Sequence, residues 1–206
     1  DFVKDFELRY EIKARNPVST GWDKIDSLTK KGLGSGELGV VIAPTGAGKS
    51  MVLAHLGAQA VKAGKNVVHY TLELSEAVTG QRYDSCISGV PLSFLFQQKD
   101  EVLESISDVE GNLIIKEYPT KTASTNTIRT HLEKLKKTNH KIDMILVDYA
   151  DLLRPVTNFK EKRNELESIY EDLRAIAQEH KCPLWTASQT NRTGLNAEVV
   201  TMESIS

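Results

Sequence analysis

The chain has 206 residues, of which 40% are hydrophobic and 26% charged, and its formal net charge is −2 at pH 7, all ordinary values for a globular domain. A chain of this length fits one α/β domain that buries roughly 70% of its unfolded surface, so it needs no disulfide or structural metal to fold. The near-neutral charge excludes a global attraction to nucleic acid or to an anionic membrane, so any polyanion must be bound by local basic loops.

The cysteines and the apolar runs indicate neither export nor a membrane span. Cys86 and Cys182 lie far apart without paired histidines, which argues against a disulfide framework and a zinc site. No apolar run reaches the roughly 18 residues of a transmembrane helix, and the opening DFVKDFELRY lacks the apolar core of a signal peptide. The chain also begins without Met, as a fragment of a longer protein would. We therefore expect a cytoplasmic domain at residues 16–206, preceded by an N-terminal arm or linker helix at residues 1–15.

Strand and helix patterns alternate along the domain. Residues 15–37, which contain four glycines, are predicted as a turn-rich lead-in. Strands are predicted at residues 38–43, 67–72, 113–116, 144–148 and 184–188, and helices at residues 50–63, 76–88, 101–107, 127–137 and 165–180. This alternation predicts an α/β fold with a mostly parallel twisted sheet and helices on both faces.

One segment has the form of a phosphate-binding loop. The strand VVIA leads into it and a helical pattern follows it, with the spacing of a P-loop except that Ala43 stands where the motif has its first glycine. Gly46 and Gly48 let backbone amides form an anion nest at the helix N-terminus, Lys49 would reach the β- and γ-phosphates, and Ser50 would ligate magnesium. A chance turn of this composition is the alternative. The predicted nucleotide-binding residues are Ala43, Pro44, Thr45, Gly46, Ala47, Gly48, Lys49 and Ser50.

A carboxylate for the magnesium is offered by the segment KIDMILVDYADLL. Asp148 directly follows a buried apolar run, the pattern of a Walker B acid, whereas Asp143 opens the strand and Asp151 falls in the following loop. We therefore predict Ser50 and Asp148 as the metal site, with a plain strand-end aspartate as the alternative.

Hydrolysis further needs a group that orients or deprotonates the attacking water. Glu73 ends the strand that follows the P-loop helix, so in a parallel sheet it emerges at the same edge as the P-loop and Asp148. The alternative is that the strand simply emerges into water there. The neighbouring Glu76 is interpreted as a first-turn helix residue behind a Ser75 cap.

Five segments, in this order and spacing, resemble the ATPase domain of the DnaB-type hexameric replicative helicases, a branch of the RecA-like fold. They are VSTGWDKID, the P-loop, YTLELSE, ILVDYADLL and LWTASQTNRTG. The similarity covers nearly all of the chain from Val18 onward, and the last segment is most similar to versions carried by tailed phages. The resemblance implies an ATP-driven, Mg²⁺-dependent DNA helicase motor in the cytoplasm of a bacterium or of a phage-infected host cell.

Carried over residue by residue, the resemblance assigns Lys49 and Ser50 to phosphate and metal, Asp148 to the Walker B role and Glu73 to the general base. Gln189, at the end of PLWTASQ, matches the γ-phosphate sensor of the family, and an amide there can donate to phosphate and accept from water. The alternative for Gln189 is a polar loop residue. The RecA-like fold also implies the strand order 3-2-4-5-1, which would place these groups side by side.

The family binds DNA with loops that face the channel of a ring, and two segments match those loops. Cations in mobile loops suit sequence-independent binding of a single strand, although a solvated surface loop is the alternative. The candidate DNA-binding residues are Arg154, Lys160, Lys162, Arg163, Asn191 and Arg192. The implied partners are single-stranded and forked DNA, identical subunits in a homo-hexamer, a primase and a helicase loader, with no membrane.

Two features of the family have no match in this sequence. The arginine finger of the family lies beyond the sensor strand, and Arg192 is the last arginine here. The primase-binding N-terminal domain also has no counterpart. Two other functions stay open: a RecA-like recombinase or recombination mediator, which shares the nucleotide-site residues, and a clock-type regulatory ATPase that does not bind nucleic acid.

Overall fold

A five-stranded parallel sheet forms the centre of the computed structural model, which describes residues 2–4, 6–7, 15–157 and 161–190. The strands are β1 (Leu38–Ala43), β2 (Val67–Thr71), β3 (Leu113–Glu117), β4 (Met144–Asp148) and β5 (Leu184–Gln189). The helices are α1 (Asp23–Leu28), α2 (Lys49–Lys62), α3 (Glu76–Ser88), α4 (Lys99–Ser107), α5 (Thr125–Lys137) and α6 (Lys162–His180), with short 3-10 helices at Leu92–Phe94 and Ala150–Leu152. Within these ranges no helix is long and apolar enough to cross a membrane.

The strand order is β1-β5-β4-β2-β3, which confirms the predicted order and the predicted α/β fold. The pairing register sets Thr71 of β2 opposite Asp148 of β4, and Gln189 of β5 opposite Ala43 of β1. The carboxyl ends of four neighbouring strands therefore meet at one edge, where open α/β sheets bind ligands.

Each face of the sheet has its own hydrophobic core. Along β4 the side chains alternate, since Met144 and Leu146 pack in the cluster shared with α2 and α3, whereas Ile145 and Val147 pack in the cluster shared with α5 and α6. All four are completely buried. Burying an aliphatic side chain of this size stabilises the fold by about 1.5–3 kcal/mol, so the strand that ends in Asp148 is held firmly from both sides.

The element bounds differ from the sequence predictions at several ends. Helix α1 lies in the segment predicted as a turn-rich lead-in, and α5 begins two residues earlier than predicted because Ser124 and Thr127 form a capping box. Strand β2 ends at Thr71, since the Thr71 hydroxyl donates to the Leu74 carbonyl at 2.8 Å and accepts from the Leu74 amide at 3.2 Å. This side-chain turn places Glu73 just beyond the strand instead of at its end.

Arg15 links the lead-in, residues 15–37, to the start of β1 through hydrogen bonds. Its guanidinium forms two hydrogen bonds to the Glu37 carboxylate, at 2.7 and 2.6 Å. It also donates to three main-chain carbonyls, those of Thr29, Lys30 and Gly32. The pKa of Glu37 is lowered, chiefly by the hydrogen bonds from Arg15. One guanidinium thus links several turns of the segment before the sheet to the residue that precedes β1.

Candidate nucleotide-binding site

The loop between β1 and α2 has the backbone of an anion nest. Gly46 and Gly48 have φ angles of 78° and 91°, a conformation that residues with a Cβ rarely adopt. A Cβ at either position would meet no atom within 4 Å, so it is backbone conformation rather than lack of space that favours glycine here. Residues 45–48 are exposed, and α2 begins immediately after them. Main-chain amides and a helix N-terminus thus share one surface, which suits phosphate.

A cleft of about 210 Å³ opens at this loop. Its walls come from the loop, from the segments that follow β2 and β4, from α3 and from the end of β5. They are formed by Thr45, Gly46, Gly48, Lys49, Ser50, Met51, Glu73, Leu74, Arg82, Tyr149 and Gln189. The structure therefore brings Lys49, Ser50, Glu73 and Gln189 together, as the sequence predicts, although they come from distant parts of the chain.

Lys49 lies folded against its own loop. Only 8% of the residue is exposed, and its ammonium donates to the carbonyls of Ala43, at 3.0 Å, and Pro44, at 2.9 Å. The same nitrogen lies 5.8 Å from the centre of the Tyr149 ring. Its partners are neutral dipoles, so its charge is not cancelled by a carboxylate and stays available for an anion.

Asp148 is buried behind Ser50, with 1% of the residue exposed, and its Oδ1 atom has no hydrogen-bond partner among the described residues. Burial raises the pKa of Asp148, and the charge of Glu73 raises it further, while a hydrogen bond from the Ser50 hydroxyl opposes both effects. A buried carboxylate oxygen without a partner is a group that a cation would satisfy.

The donor set fits magnesium that arrives with a nucleotide. Mg²⁺ is commonly held by one or two protein oxygens together with phosphates and water, and Ser50 and Asp148 supply such oxygens beside the phosphate loop. Over the described ranges, no group of three or more His, Cys, Asp or Glu residues could hold a metal ion. A metal at this position would therefore depend on ligands from the phosphates.

Glu73 and Gln189 both line the cleft, at the ends of different strands of the sheet. Glu73 is exposed, and it is held close to Asp148 because the amide of the preceding residue, Leu72, donates to the Asp148 carbonyl at 2.9 Å. The side-chain amide of Gln189 donates to the hydroxyl of Thr45 in the phosphate loop. A water or phosphate in the cleft would thus have both a carboxylate and a side-chain amide in its lining.

Arg82 and Tyr149 line the cleft but were not predicted from the sequence. Arg82 forms no hydrogen bond or ion pair with any residue in the described ranges, although its charge lowers the pKa of Asp148. The signal was present, since Arg82 adjoins Tyr83 on α3 and lies three residues after Thr79, and both of these are buried. A cation on the inward face of an amphipathic helix indicates a ligand or a buried acid.

Glu76 lies at the start of α3, as the sequence predicts. The Ser75 hydroxyl accepts from the Val78 amide, and the carboxylates of Glu76 and Glu117 each accept from the main-chain amide of the other residue, at 3.0 Å in both directions. Glu76 therefore joins α3 to the edge strand β3.

Arg154, Lys162 and Arg163 do not line the cleft, and the other candidate DNA-binding residues fall outside the described residues. Arg154 is exposed, and its main-chain amide donates to the Ala123 carbonyl at 2.8 Å. The sequence predicts a loop at Lys162 and Arg163, but they are exposed residues in the first turn of α6, which starts after an extended Glu161. Lys160, Asn191 and Arg192 lie outside the described ranges.

Sequence comparisons identify relatives along most of the chain. A profile of the family described as "DnaB-like helicase C terminal domain" matches residues 17–198. The chain is 32% identical over 220 aligned residues to the DnaB-like replicative helicase of Enterobacteria phage T4, an alignment that covers 100% of this chain and 46% of the phage protein. It is 23% identical over 181 residues to the replicative DNA helicase DnaB of Helicobacter pylori, covering 85% of this chain and 37% of that protein. The chain spans about half or less of the length of these relatives.

Solved structures share the fold at low identity. One, described as "The Structure Of A DnaB-Like Replicative Helicase And Its Interactions With Primase", superposes with a TM-score of 0.77 at 17% identity and covers 96% of this chain and 50% of that one. Another, described as an ATPase domain, has a TM-score of 0.77 at 16% identity and covers 98% of this chain and 75% of that one. At these identities the likeness shows a common fold.

Proposed function

The chain belongs to the DnaB-like helicase C-terminal domain family, and from that premise we propose that it is the motor domain of an ATP-driven replicative DNA helicase. Its reaction would be hydrolysis of ATP, coupled to translocation along single-stranded DNA and unwinding of duplex DNA. The cytoplasm of a bacterium, or of a bacterium infected by a phage, is the compartment in which such a motor would work.

The observation that carries this proposal is the convergence of four different groups on one cleft. Main-chain amides of residues 45–48 and the Lys49 ammonium offer positive charge, the Glu73 carboxylate offers a base, and the Gln189 amide offers a neutral donor. Asp148 stands behind them with an oxygen that has no described partner. Phosphoryl transfer is catalysed mainly by positioning and charge stabilisation, and this set supplies both.

Each side chain then has a defined task. Lys49 would leave the carbonyls of Ala43 and Pro44 and bind the β- and γ-phosphate oxygens. Ser50 and Asp148 would hold Mg²⁺, which neutralises charge that develops on the phosphates during transfer. Glu73 would accept a proton from the attacking water, and Gln189 would exchange the Thr45 hydroxyl for a γ-phosphate oxygen.

The partners follow from the proposed activity. We propose a homo-hexamer that encloses single-stranded DNA at a fork and works with a primase and a helicase loader. Arg154, which is exposed after the 3-10 helix that follows β4, and Lys162 and Arg163, which are exposed in the first turn of α6, would bind DNA phosphates, together with Lys160, Asn191 and Arg192. The family match favours this function over a recombinase or a clock-type ATPase, both of which share the nucleotide residues.

The experiment that tests the proposal uses the full-length protein that contains this chain, in wild-type, Lys49→Ala and Lys62→Ala forms. Lys62 is an exposed lysine at the far end of α2 and serves as the matched control. We expect DNA-stimulated ATP hydrolysis and unwinding of forked duplexes by the wild type and the control, with at least about a 100-fold loss of hydrolysis in Lys49→Ala.

Two results would contradict the proposal. The first is ATP hydrolysis that does not respond to single-stranded DNA even at low salt, where phosphate contacts are strongest. The second is the formation of open helical filaments on DNA, seen by electron microscopy, since filaments are expected of a recombinase and closed rings of the proposed motor.

A further inference from the structure

The carboxylate of Asp151 contacts the cleft residue Gln189 and lies just before the candidate DNA-binding segment, by which we mean residues 154–163. Asp151 is in the 3-10 helix Ala150–Leu152 that follows β4, and its side chain accepts hydrogen bonds from three directions. The Tyr170 hydroxyl of α6 donates to it at 2.8 Å, the Gln189 main-chain amide at 3.2 Å and the Ser188 hydroxyl at 3.3 Å. The residue has no part in the mechanism above.

The position of Asp151 compensates for a gap in the sheet. The ladder between β4 and β5 ends at the pair Val147 and Thr186, whereas the ladder between β5 and β1 continues to Gln189. Amide groups alternate between the two sides of a strand, and the next amide, that of Thr190, points to Ala43 of β1. The Gln189 amide therefore points to the side that β4 has left, where the Asp151 carboxylate accepts its hydrogen.

Both flanks of the candidate DNA-binding segment meet at the same carboxylate. Asp151 lies three residues before Arg154, which is exposed at the start of the segment. Lys162 and Arg163 form the first turn of α6, and Tyr170 lies seven residues after Arg163 on that helix. At a rise of about 1.5 Å per residue this is a distance of about 10 Å along a stiff rod. A displacement of α6 or of the 3-10 helix would thus reach Gln189 through Asp151.

We propose that Asp151 is a positioning residue that ties the sensor Gln189 to the DNA-binding segment, so that DNA at the segment changes where the Gln189 side chain lies in the cleft. Asp151 does not itself line the cleft, and its hydrogen bond to the cleft residue Gln189 is made with the main-chain amide and not with the side chain. It acts by fixing the main chain of Gln189, whose side chain contacts Thr45 of the phosphate loop. This inference rests on the proposed function, because it assigns a route for the DNA stimulation of ATP hydrolysis.

The test compares the full-length protein in wild-type, Asp151→Ala, Asp151→Asn, Tyr170→Phe and Asp172→Ala forms. Asp172, a residue of α6, is the matched control. Its carboxylate also accepts hydrogen bonds, from Thr125 at 2.6 Å and from Arg129 at 3.3 Å, but it makes no hydrogen bond with the described residues of β5. For each form, kcat and KM for ATP are measured with and without single-stranded oligothymidylate, and affinity is measured with a fluorescent ATP analogue.

We expect Asp151→Ala to lower the ratio of DNA-stimulated to basal kcat by about tenfold, the size of a typical coupling between two sites. KM and analogue affinity should change by less than about twofold, because the phosphate loop is untouched. Tyr170→Phe should lower the ratio by about threefold, since one of the donors is lost. The ratio of Asp151→Asn should lie between those of Asp151→Ala and the wild type, because the amide oxygen of asparagine can still accept a hydrogen bond. Asp172→Ala should keep the wild-type ratio.

The outcomes separate this inference from the proposed function. A wild type stimulated by DNA, with the same stimulation in Asp151→Ala and Tyr170→Phe, would overturn the role of Asp151 and leave the helicase function standing. A wild type that does not respond to DNA would overturn both. If Asp151→Ala does not fold, Tyr170→Phe decides, because a ratio equal to that of the wild type in this variant contradicts the link.

Discussion

Asp143 and Asp148 stand at the two ends of β4, and their surroundings are opposite. At the amino edge, Asp143 accepts from the main-chain and side-chain amides of Asn66, both at 3.0 Å, and pairs with Lys141 at 2.7 Å. At the carboxyl edge, Asp148 is more deeply buried and has an oxygen with no described partner. Burial alone would raise the pKa of Asp143, but the bonds from Lys141 and Asn66 lower it, whereas the pKa of Asp148 is raised.

The same contrast extends to the cations of the two edges. Arg15, which binds the residue just before β1, is matched by Glu37 and three carbonyls, whereas Arg82 in the cleft has no described hydrogen-bonding or ion-pairing partner. Unsatisfied charge lowers the stability of the ligand-free fold, and it is the state that a charged ligand relieves. The charged groups at the amino edge thus stabilise the fold by pairing with each other, whereas those at the carboxyl edge stay available to bind a ligand.

The largest effect is expected at Glu73. Replacing Glu73 by Gln removes the proposed base but keeps the shape of the side chain, so kcat for ATP hydrolysis should fall by about 10²- to 10⁴-fold. Nucleotide affinity should stay within about twofold of the wild type, because the phosphate loop is intact. Steady-state hydrolysis together with binding of a fluorescent ATP analogue measures both quantities.

The matched control for Glu73 is Glu76→Gln. Glu76 has the same chemistry three residues away, but it faces Glu117 and the edge strand, and a glutamine could still accept from the Glu117 amide. This variant should hydrolyse ATP at the wild-type rate. If instead Glu73→Gln kept the normal rate, Glu73 would be an exposed side chain without a catalytic role.

A smaller effect, on stability alone, is expected at the amino edge. Arg15→Ala would leave the Glu37 carboxylate and three carbonyls without their donor, which should lower the free energy of unfolding by about 2 kcal/mol. Lys24→Ala, which removes an exposed cation from α1, should change it by less than about 0.5 kcal/mol. Denaturant unfolding checks both variants. Equal stability of the two would mean that the Arg15 contacts add nothing to the fold.

The smallest expected effect is on the pH dependence of stability, to which the aspartates at the two ends of β4 contribute with opposite sign. Because the folded pKa of Asp143 is lowered, its contribution to stability is present above its ordinary value of 3.8 and is lost as the pH falls through the folded value. Because the folded pKa of Asp148 is raised, its contribution is greatest below 3.8 and declines as the pH rises through the folded value.

This pH dependence is measured with Asn variants. At neutral pH Asp143→Asn should have a lower free energy of unfolding than the wild type, and this difference should shrink in acid. Any higher free energy of unfolding of Asp148→Asn should shrink as well, because both wild-type carboxylates become neutral there. Unfolding curves collected between about pH 7 and about pH 3 would show the two differences converging towards zero. A deficit of Asp143→Asn that grew in acid would contradict the pairing with Lys141 and Asn66.

The sequence was sufficient for those parts of the site that depend on local pattern. The P-loop and the position of Asp148 after an apolar run were predicted, because a phosphate nest and a buried strand are each built from consecutive residues. The strand order followed from the resemblance to the RecA-like fold, and the sheet has that order. The placement of Glu73 in the cleft followed from the parallel sheet, although β2 ends at Thr71, one residue before the predicted bound, because of the Thr71 turn.

Some contacts between distant segments left no signal in the sequence. Asp151 meets Tyr170 and Gln189 because β4 and β5 diverge, and no pattern of adjacent residues marks this meeting. Arg82 is different, because its place on the inward face of α3, beside Tyr83, was readable from the sequence. The start of α6 was also missed, since Glu161 provides no side-chain cap that would mark it.

Thermal unfolding of Asp148→Asn and Asp143→Asn at neutral pH, with and without Mg²⁺ and a non-hydrolysable ATP analogue, tests most directly whether the two edges serve different purposes. Asp148→Asn should unfold at or above the wild-type temperature without ligand and lose most of the ligand stabilisation, which for the wild type is about 2.7 kcal/mol at a hundredfold excess over Kd. Asp143→Asn should unfold at a lower temperature and keep the full ligand stabilisation. The account would be contradicted if both variants lost the same stability without ligand and both kept the wild-type response to the nucleotide.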